Sequence, residues 1–586
     1  MYEGMLRAEQ AEEFQRMPFE ARAVLHHMRV SMEREGVHLP DVEKALCLEL
    51  LEREQQLSFD ILQRQEQLRR SVDGVSGLAS HEDDGAWIPR SSVEIALGQG
   101  ASRLRTRTSA RGGEVFIPAD SAFADQVLRL VPCSTSRRLV FEANQASDRL
   151  GAEQMAELLS VRQQLARLRG YSTWNAYAQR EALLSTPERV ERFLGAAFER
   201  LRPGFEEDVR ALASEKERLG LGGGKLEAWD IPMVFWKCRE SHAKEEARVS
   251  EYLTYASLMR GVDLILSRLL GLSFQQQRPD PGEVWHESVQ KYTLRAKDVV
   301  LGVLYLDPFA RPGKVLESAQ YTLQGSKQLD SGERQIPTTT LVYSLPHGAA
   351  GLTLSCASTF MHEIGHAVHS LLSETTYQHL SGTRGTIDFV EFPSHLFEHF
   401  VRDRDCLATY AAHARTGAPM PRSVQQQSRL RFAHFEAMQQ LMYGALDQAF
   451  YSYVPSTGRP AASDVEVHLA TSLGRFQLES ACGGFGGSCA SLLGLLRPSK
   501  FDHLVHYGGS YYCYLFCRAL SAHVWERAFR DDPFASDPGR RLREFLREGS
   551  VVQSLGAIEA LLPAEAGGFR AEDVPLDALV QQLQGQ

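Results

Sequence analysis

The 586-residue sequence predicts a mainly α-helical protein with a small β-sheet. Three observations lead there. Apolar residues recur at helical spacing through residues 5–70, through 120–280 and again to about Leu478. Runs rich in β-formers are short and concentrated in residues 298–345. The chain is also too long for one compact core, so two or more lobes are expected, with a boundary near residue 280.

Taken in order, Leu25, Met28 and Met32 mark a first long helix, which Gly36 ends. Asp41 to Arg70 reads as a second, charge-laced helix. His26 and His27 are adjacent, point to different faces and read as solvated. Residues 71–113 shift to Gly, Ser, Asp and Arg, which predicts a flexible surface insertion. The basic run Arg103-Leu-Arg-Thr-Arg107 inside it is short and isolated, and reads as a solvated loop. Helix resumes from 120, and Thr186-Pro187-Glu188 is a start signal: a capping hydroxyl, Pro in the first turn and an early carboxylate. Gly222-Gly-Gly-Lys225 lacks the earlier Gly of a phosphate loop and has Leu226 where Mg²⁺ needs Ser or Thr, so it reads as a linker. Val299 to Tyr305 and Thr338 to Tyr343 are the strand candidates. An edge strand there could pair with an extended peptide backbone; a purely structural sheet is the competing reading. Ala481-Cys-Gly-Gly-Phe-Gly-Gly-Ser488 reads as a flexible loop.

Composition excludes several classes. Hydrophobic content of 43% and charged content of 24% fit a globular protein. A net charge of −10 argues against a nucleic-acid-binding surface. No apolar run approaches the roughly 20 residues that span a bilayer. Nine cysteines in a chain this long make no disulfide framework. Cys513 and Cys517, about one helical turn apart, read as reduced core thiols, which favours a reducing compartment.

The chemistry gathers at Thr359-Phe-Met-His362-Glu363-Ile-Gly-His366-Ala-Val-His369. In a helix, His362 and His366 stand one turn apart on one face and can aim two imidazoles at one point. That pair suits Zn²⁺. Glu363 can take a proton from water as it attacks a carbonyl, and pass it to the leaving amine. The bland alternative is two histidines on an amphipathic helix. Catalytic zinc usually takes a third protein ligand. Glu391 follows His366 by 25 residues, beyond Gly382 and Gly385, which break the first helix. Pro393 suits the first turn of a second helix, with Glu391 at its start. Asp388 could accept the outer N–H of a ligand imidazole or simply cap that helix. His395-Leu-Phe-Glu398-His399 is a competing, inverted zinc motif. His369 falls on the side of His362 two turns on and reads as substrate-side or hydrogen-bonded rather than a ligand.

The pattern Phe-x-His-Glu-x-Gly-His-Ala-x-His, followed by Gly382-Thr-Arg384 and Asp388-Phe-x-Glu391-x-Pro-Ser394, resembles the thimet-oligopeptidase family of zinc metallopeptidases. Gly170 to Tyr177, Gly282-Glu-Val-Trp285, Leu301 to Asp307 and Tyr507-Gly-Gly-Ser-Tyr511-Tyr512-Cys-Tyr514 extend the resemblance, which covers roughly Gly170 to Arg547. Two departures stand out. Met361 occupies the place directly before the first His where the family usually has Phe, and the 481–488 loop is expanded. The resemblance implies two helical lobes around a deep channel, with the sheet near the zinc-binding helix and 281–586 as the catalytic metallopeptidase region. It implies one Zn²⁺ held by His362, His366 and Glu391, with Glu363 as base. Tyr514 is expected to donate to the oxyanion, with Tyr511 and His503 beside it and Tyr507 on the substrate side. The expected partner is a peptide or unfolded precursor, and a monomer is expected. The branch that Gly382-Thr-Arg384 and its neighbours look most like works in the mitochondrial matrix, and the resemblance to it implies removal of an N-terminal octapeptide from imported precursors. Met1 to Gln10 is acidic and does not resemble a presequence, which leaves a cytoplasmic location as the alternative. A general oligopeptidase and a non-enzymatic peptide-binding protein are the alternative functions.

Overall fold

Helices dominate, as the apolar spacing requires. The computed structural model describes residues 1–70, 85–97, 106–109, 112–146, 149–222, 225–314, 318–346, 351–425, 431–455, 460–474, 476, 500–564, 568, 570 and 573–585. The N-terminal helices are α1 (Tyr2–Gln10), α2 (Phe19–Arg34) and α3 (Asp41–Arg70). Gly36 takes a φ of 75° just beyond α2, the left-handed conformation in which glycine ends a helix cheaply. Strand β1 (Gly85–Pro89), α4 (Arg90–Leu97), β2 (Thr106–Ser109) and β3 (Gly112–Pro118) follow. The three strands form one antiparallel sheet in the order β1-β3-β2. Part of the stretch expected to be a flexible insertion carries secondary structure, with Ile88 paired to Val115 in a buried register that composition does not reveal. The rest of 71–113 lies outside the described residues.

Helices α5 (Ala122–Leu130), α6 (Ser134–Ala146), α7 (Arg149–Leu168), α8 (Trp174–Gln179), α9 (Pro187–Arg218), α10 (Ile231–Ser250) and α11 (Tyr255–Leu264) come next. α9 begins where its start signal lies, with the Thr186 hydroxyl accepting the Arg189 amide and Pro187 in the first turn. Two residues of the Gly222–Lys225 linker and all of the 481–488 loop lie outside the described residues.

The second sheet contains β4 (Ser273–Gln277), β5 (Gln290–Ala296), β6 (Val299–Phe309), β7 (Ala319–Gln324) and β10 (Thr338–Leu345), in the order β4-β5-β6-β10-β7. Only β6 and β10 pair in parallel; the other neighbours are antiparallel. Short strands β8 (Lys327–Gln328) and β9 (Arg334–Gln335) form a separate ribbon. Both strand candidates are present and longer than their cores suggested, whereas β4, β5 and β7 carry Gln, Lys and Tyr and gave no strong signal.

The last helices are α12 (Leu354–Leu372), α13 (Ile387–Arg402), α14 (Arg404–Tyr410), α15 (Arg422–Gln425), α16 (Ala433–Ser452), α17 (Ala462–Gly474), α18 (His503–His506), α19 (Cys513–Val524), α20 (Ser536–Arg547), α21 (Leu555–Glu559) and α22 (Asp577–Gly585). α12 packs on the sheet through β6, β7 and β10 and on α13, which also meets α19. One continuous apolar core runs through all of this, from Cys47 to Leu583. No described helix is long and apolar enough to cross a membrane. Cys513 and Cys517 are buried free thiols, as expected.

Candidate metal centre

α12 starts at Thr353, whose hydroxyl accepts the Cys356 amide, and its apolar face sinks into the core at Phe360, Met361, Ile364, Ala367 and Val368. Met361 is fully buried, so the change from the usual Phe alters packing and leaves the metal-facing side intact. Gly365 sets the approach of α13. A Cβ there would lie 2.7 Å from Ser394 Cα and 3.1 Å from the Pro393 carbonyl. α13 begins at Ile387, so Pro393 stands inside the helix rather than in its first turn, and Glu391 lies one turn in.

This packing brings Glu391 Oε2 within 3.2 Å of His362 Nε2 and 3.4 Å of His366 Nε2. Ligands at 2.0–2.1 Å around a tetrahedral Zn²⁺ stand about 3.3 Å apart, so the donor set fits that ion's size and chemistry. The local field favours a cation. Burial opposes charge on His362, yet Glu391 and Glu398 push it up to about 10. Glu391 is half-buried, which raises its pKa, but His366 and His362 hold it well below the ordinary carboxylate range. These three residues form one group able to hold a divalent ion.

Glu363 is 9% exposed beside them, and burial raises its pKa. The backbone amide of Gln320, in β7, works in the opposite direction on that carboxylate. The edge of the sheet therefore runs past the would-be base.

The outer nitrogen of His362 is held by Glu398, not by Asp388. Glu398 Oε1 lies 2.8 Å from His362 Nδ1 and 2.9 Å from His395 Nδ1, and its other oxygen takes Arg402 at 2.5 Å. Asp388 instead accepts the Leu183 amide and the Tyr512 hydroxyl, both at 2.8 Å. The reading of Asp388 as a partner of a ligand imidazole takes the second helix to start at Glu391. With α13 running from Ile387, Asp388 turns to α19, while Glu398 stands two turns beyond Glu391 on the same face. That i, i+7 spacing was the available signal for Glu398.

The inverted motif is split. His399 stacks on Trp525 at 5.2 Å and meets Ser521 and Gln582, away from the centre. His395 lies beside His362, with ring centroids 5.1 Å apart. His362, His395 and Glu398 form a second possible group. It is the poorer cation site, because Glu398 already neutralises Arg402. His369 is fully buried, its Nε2 donates to the Gly549 carbonyl, and burial lowers it to about 4, so it is a hydrogen-bonded core residue.

The tyrosine-rich segment lines one side. Tyr514 faces His395 across 6.4 Å. Burial raises the pKa of Tyr514 and of Tyr507, and Glu391 adds to both. The Tyr511 hydroxyl is already donated to Gln440, so this ring braces the row instead of offering a free donor. His503 packs against Tyr507, Tyr511 and Tyr514 with its Nδ1 on Asp502.

A fold of this kind with a His/His/Glu centre belongs among the metallopeptidases, and the sequence comparison names the class. The chain belongs to peptidase family M3, whose sequence profile matches residues 129–565. Among its relatives is the mitochondrial intermediate peptidase of Mus musculus, 31% identical over 418 residues, covering 70% of this chain and 57% of that protein. The Arabidopsis thaliana mitochondrial intermediate peptidase is 28% identical over 571 residues, covering 94% of this chain and 77% of its own length. The chain thus spans little more than half of the mouse relative. In fold, it resembles a solved structure described as a peptidase from Chlamydophila abortus, with a TM-score of 0.52 at 14% identity over 99% of this chain and 79% of that one.

Proposed function

We propose that this chain is a zinc-dependent endopeptidase acting on short or unfolded peptides, and that it removes an N-terminal octapeptide from imported mitochondrial precursors. The observation that carries the reading is the convergence of His362 Nε2, His366 Nε2 and Glu391 Oε2, with the Glu363 carboxylate alongside. The family membership and the relatives named mitochondrial intermediate peptidase support the substrate class. The same reading includes two helical lobes around a channel, residues 281–586 as the catalytic region, a monomer, and the mitochondrial matrix as the place of action.

His362, His366 and Glu391 would hold Zn²⁺, which when bound polarises the scissile carbonyl and lowers the pKa of its water towards neutrality. Glu398 fixes the His362 ring through Nδ1, with Arg402 holding the carboxylate in place. Glu363 accepts the proton from the attacking water, and its raised pKa suits handing that proton to the leaving amine. Tyr514 and Tyr507, kept protonated by burial, serve as hydroxyl donors to the developing oxyanion and the peptide. β7 is an edge strand with Tyr321 and Leu323 exposed, so an extended peptide can pair along it past Glu363.

The test is product mapping by mass spectrometry. A precursor-derived polypeptide and unrelated short peptides are incubated with the zinc-loaded chain, with and without a chelator. Release of a single N-terminal octapeptide, abolished by the chelator, is expected. Glu363→Gln should keep its zinc and lose on the order of 10³-fold or more in kcat. Scattered cuts in short peptides with an untouched precursor would replace this reading with a general oligopeptidase. Turnover indifferent to the chelator would remove the metal from it.

A further inference from the structure

The segment that carries the tyrosines cannot hold itself in place. Gly508 and Gly509 separate Tyr507 from Tyr511 and offer no side chain to pack, and Gly509 adopts a φ of 86°. Its backbone is instead bound by buried side chains from other helices. Asp447, in α16 and fully buried, accepts the Gly509 amide on Oδ1 at 2.8 Å and the Tyr511 amide on Oδ2 at 3.0 Å. Gln179 and Gln448 donate to the Gly509 carbonyl at 2.7 and 3.1 Å, and the Trp174 indole donates to the Gly508 carbonyl at 2.9 Å. One turn earlier, the buried Arg162 guanidinium takes the carbonyls of Leu504 and Val505. A Cβ on Gly508 would meet Arg162 and Tyr451 at 2.6 Å, so the fit leaves no slack.

From this geometry we propose that Asp447 is a positioning residue: its carboxylate fixes the Gly508–Tyr511 turn and thereby sets the phenol of Tyr514 relative to the metal-binding helices. The inference deepens the peptidase reading and rests on it. A carboxylate is suited to the task because two backbone N–H groups converge on it, one per oxygen, as in an anion-binding nest. Asn has the same shape but one acceptor oxygen, so its amide group would oppose one of the two N–H donors. A fixed donor aimed at a developing charge loses its value when it shifts by as little as 1 Å.

Burial pushes Asp447 up to about 7. The groups facing it are Arg162 from α7, Tyr451 on its own helix, and Tyr511 and Cys513 from the tyrosine segment. Protonation places a hydroxyl against one of the two amides, so the wild-type clamp tightens as pH rises through this value.

The experiment uses the full zinc-loaded chain and a fluorogenic short peptide. Asp447→Asn should keep one zinc per chain and a KM within about threefold, and lose about 10- to 100-fold in kcat. In a Tyr514→Phe background the same substitution should cost less than about threefold, since the donor it positions is gone. The ratio of wild-type to variant kcat should widen from about pH 5.5 to pH 8. Equal losses in both backgrounds, or a ratio independent of pH, would overturn the proposal. Hydrogen exchange on the unaltered chain gives a readout that needs neither a folded variant nor turnover. The Gly509 and Tyr511 amides should be strongly protected, and rapid exchange would also overturn it. Wild-type protein with protected amides but no zinc-dependent turnover would count against the peptidase function and leave the clamp standing.

Discussion

At the scale of single residues, the centre depends on a carboxylate whose role against His362 no motif gives. Glu398 takes His362 and His395 on one oxygen and Arg402 on the other, so it orients a proposed ligand while its charge is shared with Arg402. Outer-sphere partners of this kind typically contribute 10- to 100-fold to metal affinity. Glu398→Gln retains an acceptor for His362 but not the charge. It should weaken zinc binding by about tenfold, roughly 1.4 kcal/mol, and Glu398→Ala by more. Chelator competition on the purified variants measures this, and unchanged affinity in both would remove Glu398 from the metal's support. His395→Asn is the matching control: zinc content should stay at one per chain, because the alternative group of His362, His395 and Glu398 is already neutralised by Arg402. The grouping of His362, His366 and Glu391 was legible because His362 and His366 share a helical face and Glu391 could return after a Gly-rich break. Glu398 was hidden among four charged or imidazole side chains in one short stretch, and it is its burial and its bond to His362 Nδ1 that separate it from an ordinary exposed acid.

At the scale of elements, the helix pair α12 and α13 is where local sequence and tertiary packing meet. The α9 start follows from capping, and a strong local signal places it well. The strands β4, β5 and β7 do not follow from local sequence, because their faces are half polar. The start of α13 was misplaced for a related reason: Pro393 looks like a first-turn residue, but tertiary contact with α12 extends the helix back to Ile387. Gly365 shows how close that contact is. Ala at a helical Gly ordinarily gains about 1 kcal/mol of helix propensity. Here the added methyl would sit 2.7 Å from backbone carbon of Ser394, which cannot swing aside. Overpacking of this kind costs about 1–3 kcal/mol, so the clash outweighs the propensity. Gly365→Ala should lower the melting temperature and, by pushing α13 and Glu391 outward, weaken zinc binding more than a surface Gly→Ala control such as Gly195→Ala, whose Cβ meets nothing within 4 Å. A variant as stable and as zinc-avid as the parent would show that the two helices have room to part.

At the scale of the whole molecule, a boundary near residue 280 divides the chain in sequence, but the family profile spans 129–565 and crosses it. The contacts cross it as well. The amide of Leu183 binds Asp388 at the start of α13, Gln179 and Trp174 hold the tyrosine turn, and Arg162 reaches the carbonyls of Leu504 and Val505. Arg162 is itself paired with Glu54 in α3 and lies under Trp174 and Tyr451, so the N-terminal helices take part in the same buried network. The apolar core is continuous across that line, with Leu194, Leu201 and Val234 in one cluster with Phe360, Phe397 and Phe516. A fragment of residues 281–586 would keep every proposed metal ligand and still lose these supports. Its cut face would expose the apolar side of α16, which in the intact chain packs against α9. Such a fragment should show no cooperative melt and no stoichiometric zinc, whereas the full chain should unfold in a single transition that zinc shifts upward. Calorimetry with and without zinc on both proteins decides it. A fragment that melts cooperatively and binds one zinc would make the catalytic half an independent domain, and the contacts from residues 162–183 would then be docking interactions instead of part of its core.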